Sequence, residues 1–241
     1  MTIDRLDLSG WWELSLDQCD DAAGARFDDM INLPGTLDEQ HKGARGPVPD
    51  NTMRLSRLYC HVGKAWYRRR ITIPQEWATR HVRLFIERTK FSTLWLDGRK
   101  IGTVESLVAP HRYDFTAEAG EHTLTLMIDN NTLWCGGHQV SDDTQTNWNG
   151  LLGEITLSLV PDVEITLLRL LPEKNGVKVL LELTAHRVAD GQLRVALGDD
   201  QATMLCPIDK GVHRETVFLP AAEPLESWSE FFPYIHPFIA Q

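Results

Sequence analysis

The stretch Leu94-Trp95-Leu96-Asp97-Gly98-Arg99-Lys100-Ile101 has the pattern of a β-hairpin. A mainly apolar run comes first, an Asp-Gly pair follows, and a second run ends at an isoleucine. Asp-Gly favours a two-residue hairpin turn, because both central residues of that turn need positive φ angles. The stretch therefore predicts two antiparallel strands joined at Asp97-Gly98.

The same kind of strand signal recurs along most of the chain. Apolar residues at every second position indicate half-buried strands, and such runs are Trp12-Leu14-Leu16, Val82-Leu84-Ile86, Leu124-Leu126-Ile128 and Ile155-Leu157-Leu159. Further turn signals separate the runs at Leu33-Pro34-Gly35, Ala119-Gly120, Asn175-Gly176 and Asp190-Gly191. No long stretch has the 3.6-residue period of an amphipathic helix. We therefore expect an all-β chain, a β-sandwich or jelly roll rather than an α/β enzyme fold.

A domain boundary is predicted near Val160-Pro161-Asp162, where one strand run ends and another begins at Val163. We expect residues 1–160 to form one domain and residues 161–241 a second. Strand runs at 177–183, 192–197 and 212–219 suit an immunoglobulin-like sandwich in the second part. That part has about 80 residues, fewer than the ~100 typical of the fold, so we expect it to be truncated at its C-terminus.

Charge and composition narrow the range of partners. The formal net charge of −10 opposes binding to nucleic acid, and the basic run Arg68-Arg69-Arg70 lies in an alternating stretch that spreads its charges over both faces of a strand. The cysteines are isolated, without the spacing of zinc ligands or of a disulfide framework. We expect no nucleic-acid partner, no metal and no cofactor.

The sequence also lacks membrane signals. No apolar run approaches the ~18 residues of a membrane span, and the N-terminus has no apolar region of the kind that a signal peptide carries. We expect no membrane association and a cytoplasmic location, or a periplasmic or secreted one if an export signal has been removed.

One loop has the composition of a sugar-binding site. Residues 136–153, between two strong strand runs, gather polar groups around Trp148. Hydrogen-bonding groups suit sugar hydroxyls and an aromatic face suits the C–H side of a sugar ring, so this loop, which includes His138 and Trp148, is a candidate sugar site. The alternative is a polar loop whose side chains stabilise its own turns while Trp148 closes the end of the sandwich. Composition leaves both interpretations open.

Several motifs, in order along the first 160 residues, resemble the N-terminal sugar-binding domain of family 2 glycoside hydrolases, the group of β-galactosidases, β-glucuronidases and β-mannosidases. They are Ile31-Asn32-Leu33-Pro34-Gly35-Thr36, Ala65-Trp66-Tyr67-Arg68-Arg69, Glu87-Arg88-Thr89 leading to Leu94-Trp95-Leu96-Asp97-Gly98, Pro110-His111-Arg112-Tyr113-Asp114, and Thr144-Gln145-Thr146-Asn147-Trp148-Asn149-Gly150. Each motif is weak alone, and their common order is what makes the resemblance specific.

The resemblance implies a galactose-binding-like jelly roll, then an immunoglobulin-like sandwich, then a TIM barrel that holds the acid/base and nucleophilic glutamates. The segment from Leu225 to Tyr234 resembles the family's Trp-Ser-Glu-Phe-x-Pro segment of the second sandwich. No part of the chain corresponds to the barrel, so the family's catalytic glutamates have no counterpart here. We expect no catalytic residue, and a barrel that is missing or supplied by a separate chain.

The resemblance also implies which residues contact the terminal sugar of a β-glycoside. Asp143, Thr146 and Asn147 are the expected hydroxyl partners, with Trp148 as the anchor. Some β-galactosidases carry an acidic residue two positions before this tryptophan, where the present chain has Thr146. Arg57, in the stretch 51–59, is a second candidate.

Three functions remain open on the sequence. The chain is expected to be the carbohydrate-recognition front of a longer hydrolase; the alternatives are a free-standing carbohydrate-binding module and a scaffold subunit that docks to a separate barrel chain. The apolar segment 231–239 further predicts self-association.

Overall fold

The computed structural model describes residues 5–46, 57–131, 146–198, 200–221 and 225–241. The chain divides into two compact units, Met1–Leu159 and Val160–Gln241, here called the first and the second unit. Apart from one turn of 3₁₀ helix at Gln75–Trp77, all the regular structure in the described residues is β-strand. Each unit contains two larger sheets, so the prediction of an all-β chain built from sandwiches is confirmed.

Among its described residues, the first unit contains thirteen strands. They are β1 (Arg5–Asp7), β2 (Gly10–Ser15), β3 (Asp29–Leu33), β4 (Gly35–Thr36), β5 (Ala44–Arg45), β6 (Tyr59–Cys60), β7 (Lys64–Ile73), β8 (His81–Arg88), β9 (Phe91–Leu96), β10 (Arg99–Val104), β11 (His111–Thr116), β12 (Gly120–Asp129) and β13 (Gly150–Leu159). One sheet has the order β1-β13-β8-β11, with β4 also paired to β13, and the other has the order β10-β9-β12-β7-β2-β3.

Alternation along these strands creates the core of the first unit. Leu84 in β8 and Leu157 in β13 belong to one sheet, Leu126 in β12 and Tyr67 in β7 to the other, and all four are fully buried in one cluster. Burying an apolar side chain of this size stabilises the fold by about 1.5–3 kcal/mol. The period-two runs read from the sequence are therefore the inward-facing rows of the two sheets.

The hairpin predicted at Asp97-Gly98 is present between β9 and β10. Arg99 pairs with Leu96, so Asp97 and Gly98 are the two loop residues, and their φ angles are 50° and 79°. The predicted distribution of the three arginines is also confirmed. Arg68 binds Glu13, whereas the neighbouring Arg69 donates to the backbone carbonyls of Leu8 and Ser9.

In the part of the second unit that the structure describes there are six strands. They are β14 (Val163–Glu173), β15 (Gly176–Ala185), β16 (Ala189–Leu197), β17 (Asp200–Ile208), β18 (Gly211–Pro220) and β19 (Phe238–Ala240). They form two three-stranded sheets with the orders β14-β15-β18 and β17-β16-β19. The predicted strands at 177–183, 192–197 and 212–219 are present, but the sequence reading missed β17 and β19.

One turn prediction in the second unit is wrong. Asp190-Gly191 lies inside β16, where Gly191 pairs with Cys206 of β17. The Asp-Gly pair was expected to end a strand, and instead the ladder of β16 and β17 continues across it. Backbone pairing across the sheet has here outweighed the local turn preference of the dipeptide.

The strand β14 leaves apolar surface uncovered. Leu168 and Leu170 pair with Leu181 and Val179, whose side chains are buried in the core of the second unit, yet they are 43% and 39% exposed. The segment from Trp228 to Ile235 adds Phe231, exposed at 78%. Patches of this kind commonly mark surfaces that associate with other apolar groups.

A buried histidine holds one end of the first unit together. His111 is fully buried, its Nε2 donates to the carbonyl of Ser106 at 2.9 Å, and its Nδ1 accepts from the hydroxyl of Ser92 at 2.5 Å. The hydroxyl of Tyr113 donates to the Ser92 carbonyl at 2.9 Å. Burial lowers the pKa of His111 below its ordinary value of 6.5 and raises the pKa of Tyr113 to about 12. The neutral imidazole is therefore the form that this network holds.

This network predicts a loss of stability in mild acid. Because the folded-state pKa of His111 lies below its unfolded value, its contribution is complete above the unfolded pKa and is lost as pH falls through the folded pKa. We expect the free energy of urea unfolding of the wild type to fall, relative to that of His111→Gln, as the pH is lowered from about 7 to about 5.

His122 is the matched control for that experiment. Partial burial opposes its protonation, but the hydrogen bond from Nδ1 to Asp97 at 2.6 Å raises its pKa. Its contribution is present below the unfolded pKa and is lost as pH rises, so His122→Gln should change the pH dependence in the opposite sense. Equal slopes for wild type and His111→Gln would contradict the assignment.

The exposed segment of the second unit predicts self-association at high protein concentration. Phe231 and Ile235 are each 78% exposed, so Phe231→Glu combined with Ile235→Glu should add repulsion without disturbing the core. We expect sedimentation velocity to show larger species for the wild type and a monomer for this variant. Val108→Glu, at an 87% exposed position of the first unit, is the control and should leave association unchanged. A wild type that stays monomeric throughout would contradict the prediction.

Candidate functional site

The tryptophan singled out by the sequence, Trp148, lies at one end of the first unit just before β13 begins. The segment around it meets β4 directly, because Gly150 pairs with Thr36 and the amide of Leu37 donates to the carbonyl of Asn149 at 2.9 Å. A Cβ on Gly150 would lie 2.3 Å from the carbonyl oxygen of Gly35, and the φ angle of Gly150 is +150°. Only glycine permits this close approach of the two backbones.

The side chain of Asn149 anchors this segment to the core. Its Oδ1 accepts a hydrogen bond from the hydroxyl of Tyr67 at 2.8 Å, and its Nδ2 donates to the carbonyls of Gly63 at 3.2 Å and Ile128 at 3.1 Å. Both Asn149 and Tyr67 are almost completely buried. Burial, and after it the charge of Asp38, raises the pKa of Tyr67 well above its ordinary value, so this hydroxyl remains a donor.

A second buried amide, that of Asn130, lies directly after the end of β12. Its Oδ1 accepts from the amide of Gly63 at 2.8 Å, while its Nδ2 donates to the carbonyls of His61 at 2.9 Å and Asn147 at 3.3 Å. The two asparagines thus join three chain segments that are far apart in sequence. The backbone on both sides of Trp148 is held in place by these amides.

Lys90 contacts the same segment from the turn between β8 and β9. Its ammonium donates to the carbonyl of Thr146 at 2.8 Å and lies 4.5 Å from the centre of the Trp148 ring. The residue is only 3% exposed. Burial, with the positive charge of Arg57 as a second cause, lowers the pKa of Lys90 to about 8.

Arg57 completes the described surroundings. It is 9% exposed, and its Nη1 lies 4.0 Å from Oδ1 of Asp38. That distance makes the pair an ion pair rather than a hydrogen bond. Two cations and one carboxylate are therefore gathered beneath the segment that carries Trp148.

The structure places the predicted site residues at different depths. Thr146 is exposed and Trp148 is half-buried, so these two can meet a ligand from solvent. Asn147 and Arg57 are buried, at 4% and 9% exposure. His138 and Asp143 lie outside the described residues.

Sequence reasoning missed the most informative neighbours, Lys90 and Asp38. Lys90 follows the Glu87-Arg88-Thr89 motif, and nothing in its local pattern distinguishes it from a surface lysine at a strand end. Its contact with Thr146 spans 56 residues of sequence, so only the tertiary fold brings the two together. Asn149 was within the quoted motif, but its link to Tyr67 was not predicted.

The groups described around Trp148 include two of the kinds that recognise sugars and one carboxylate, that of Asp38. Trp148 offers an aromatic face and Thr146 a hydroxyl, which are the groups that recognise a sugar ring. Hydrolysis of a glycoside needs two carboxyl groups about 5–10 Å apart across the bond.

Among the described residues there is no group of three or more His, Cys, Asp or Glu that could hold a metal ion. No helix in the same residues has the length and apolar composition needed to cross a membrane.

No family model matches the chain, and no curated protein matches it. Solved structures do. A family 2 β-galacturonidase from Eisenbergiella tayi bound to galacturonate is similar with a TM-score of 0.67 and 17% identity, over 98% of this chain and 40% of that one. A β-glucuronidase from Faecalibacterium prausnitzii is similar with a TM-score of 0.57 and 20% identity, over 91% of this chain and 41% of that one. A β-D-mannosidase from Dictyoglomus thermophilum is similar with a TM-score of 0.61 and 14% identity, over 90% of this chain and 31% of that one.

At these identities the similarity shows the fold. The chain therefore has the β-sandwich fold found in part of several family 2 glycoside hydrolases, and the resemblance read from the sequence is confirmed at that level. The chain spans only 40% of the length of the galacturonidase.

The Asn149 anchor predicts a large loss of stability on its removal. Asn149→Ala leaves the buried groups of Tyr67, Gly63 and Ile128 without their partner, and we expect a cost of about 3 kcal/mol or more in urea unfolding. Tyr67→Phe removes one of these bonds and should cost about 1 kcal/mol. Asn32→Ala, at an exposed position of β3, is the control and should change stability by less than about 0.5 kcal/mol. A loss in Asn149→Ala no larger than that of the control would refute the anchoring role.

Proposed function

We propose that this chain is the N-terminal carbohydrate-recognition portion of a family 2 glycoside hydrolase, with a galactose-binding-like first unit and an immunoglobulin-like second unit. The observation that carries the proposal is Trp148, held half-exposed beside Thr146 at the end of a sandwich whose fold family 2 hydrolases share. The ordered sequence motifs around residues 31–36, 65–69, 110–114 and 144–150 support the same assignment.

In this proposal the chain binds and does not cleave. Trp148 stacks on the terminal sugar of a β-glycoside and Thr146 bonds one of its hydroxyls, together with Asp143 and His138. Asn147 and Arg57, which are buried, support the segment that presents Trp148. The acid/base and nucleophilic glutamates belong to a barrel domain, either in a longer polypeptide or in a separate chain.

The uncovered apolar surface of the second unit supports docking to such a barrel. Leu168 and Leu170 of β14 are exposed although they lie on the core side of their sheet. Trp228 and Phe231 are also exposed, at 64% and 78%. A covering domain removes this surface from water, at about 25 cal/mol for each Å² of apolar area.

The sugars to test come from the similar structures. Galacturonate is named for the Eisenbergiella tayi structure, and the other two similar enzymes are named a β-glucuronidase and a β-mannosidase. We therefore choose galacturonate, glucuronate and mannose, with galactose added for the β-galactosidase resemblance. Calorimetric titration with each sugar, of the full chain alone and of the full chain mixed with a family 2 barrel chain, tests the proposal.

We expect Trp148→Ala to weaken binding of the preferred sugar about tenfold or more, because the stacking face is lost. Trp228→Ala is the matched control, since this tryptophan is exposed but lies in the second unit, and it should leave binding unchanged. Equal affinities for wild type and Trp148→Ala would remove Trp148 from the site.

The strength of binding separates the main proposal from the free-standing module. A dissociation constant of about 1 mM or tighter, about 4 kcal/mol, indicates that the chain recognises sugar without a barrel and favours the module. Much weaker binding that is restored when a barrel chain is added favours the hydrolase portion, and co-purification of a separate barrel chain favours the scaffold subunit.

A further inference from the structure

The ammonium of Lys90 is buried against the ring of Trp148, which the proposed site offers to a sugar. Lys90 is 3% exposed, although lysine is rarely fully buried unless it is paired. Its two described contacts both go to the segment before β13, one to the Thr146 carbonyl at 2.8 Å and one to the Trp148 ring at 4.5 Å. A cation within about 6 Å of an aromatic centroid is attracted by the ring.

We propose that Lys90 is a positioning residue of the sugar site, whose ammonium fixes the indole of Trp148 in the orientation that receives a sugar ring. The sugar itself rests on the proposed function. The contact between Lys90 and Trp148 does not, so the two claims can be tested separately.

Other residues already hold the backbone of this segment. The hydroxyl of Thr89 donates to the carbonyl of Gly150 at 2.7 Å, and the amide of Asn130 donates to the carbonyl of Asn147 at 3.3 Å. Asn149 adds its bonds to Gly63 and Ile128. What Lys90 adds to these backbone bonds is the contact with the ring.

The contact depends on charge, because the attraction of a cation to a ring disappears when the amine is neutral. The described charged group that acts on Lys90 is Arg57, which repels its ammonium and which itself lies 4.0 Å from Asp38. Burial together with Arg57 lowers the pKa of Lys90 to about 8. The amine of Lys90 is therefore mainly charged near pH 7 and mainly neutral near pH 9. We expect the orientation of the Trp148 ring to change over the same pH range.

Fluorine NMR of the full chain labelled with 5-fluorotryptophan tests this directly. The chain has 8 tryptophans, and Trp148→Phe identifies the resonance of Trp148. In the wild type we expect this resonance to titrate with a midpoint near pH 8. In Lys90→Met, which fills similar space without charge, it should be displaced at pH 7 and should not titrate. In Lys90→Arg, which stays charged, it should keep close to its wild-type position and should not titrate.

The other tryptophan resonances report whether each variant is folded. Lys210→Met is the control, because Lys210 is exposed in the second unit and its loss should leave the Trp148 titration unchanged. A Trp148 resonance that titrates identically in the wild type and in Lys90→Met overturns the proposal. So does one that shows no titration in the wild type and no displacement in Lys90→Met.

Calorimetry with the preferred sugar adds the functional readout. Lys90→Met should lower the affinity about tenfold at pH 7, and Lys90→Arg should restore most of it. If the NMR result holds but no sugar binds the wild type with or without a barrel, Lys90 positions Trp148 and the proposed function fails. If sugar binds equally to wild type and Lys90→Met, the positioning role fails and the proposed function stands.

Discussion

The buried amide of Asn149 connects the segment that carries Trp148 to the core of the first unit. It accepts from Tyr67 in the middle of the six-stranded sheet and donates to backbone carbonyls at Gly63 and Ile128. Each of these groups is shielded from water, so each would incur a desolvation cost without its partner. With Asn130 and Thr89, this side chain holds the segment that leads into β13 and pairs with β4.

Around that anchor the electrostatics are unusual for a sandwich end. Lys90 and Arg57 are both largely buried, and Asp38 is the acidic partner within 4.0 Å of Arg57. A buried cation is tolerated when hydrogen bonds and ring faces replace water, and the Thr146 carbonyl and the Trp148 ring do so for Lys90. The same burial lowers the pKa of the lysine, so the group that orders the ring can be titrated near physiological pH.

The second unit presents a different kind of surface. Its strands bury one row of apolar side chains against each other, but β14 carries leucines on both faces, exposed at about two fifths. Stabilisation by apolar burial is therefore incomplete along this strand. The half-exposed Trp148 lies in the first unit and most of the large exposed apolar side chains discussed above lie in the second, and the proposed division between sugar binding and docking starts from this difference.

The sequence by itself determined the all-β class, the rows of alternating core residues and the Asp97-Gly98 hairpin, because these follow from side-chain period and turn geometry within a few residues. It also pointed to Trp148 through local composition and to Thr146 through the family resemblance. It did not find β17 or β19, and it placed a turn at Asp190-Gly191, where cross-strand pairing prevails. Tertiary structure alone decided that Arg57 and Asn147 are buried and that Lys90 lies against Trp148. These contacts join segments tens of residues apart, and no local pattern of the chain encodes a distance between them.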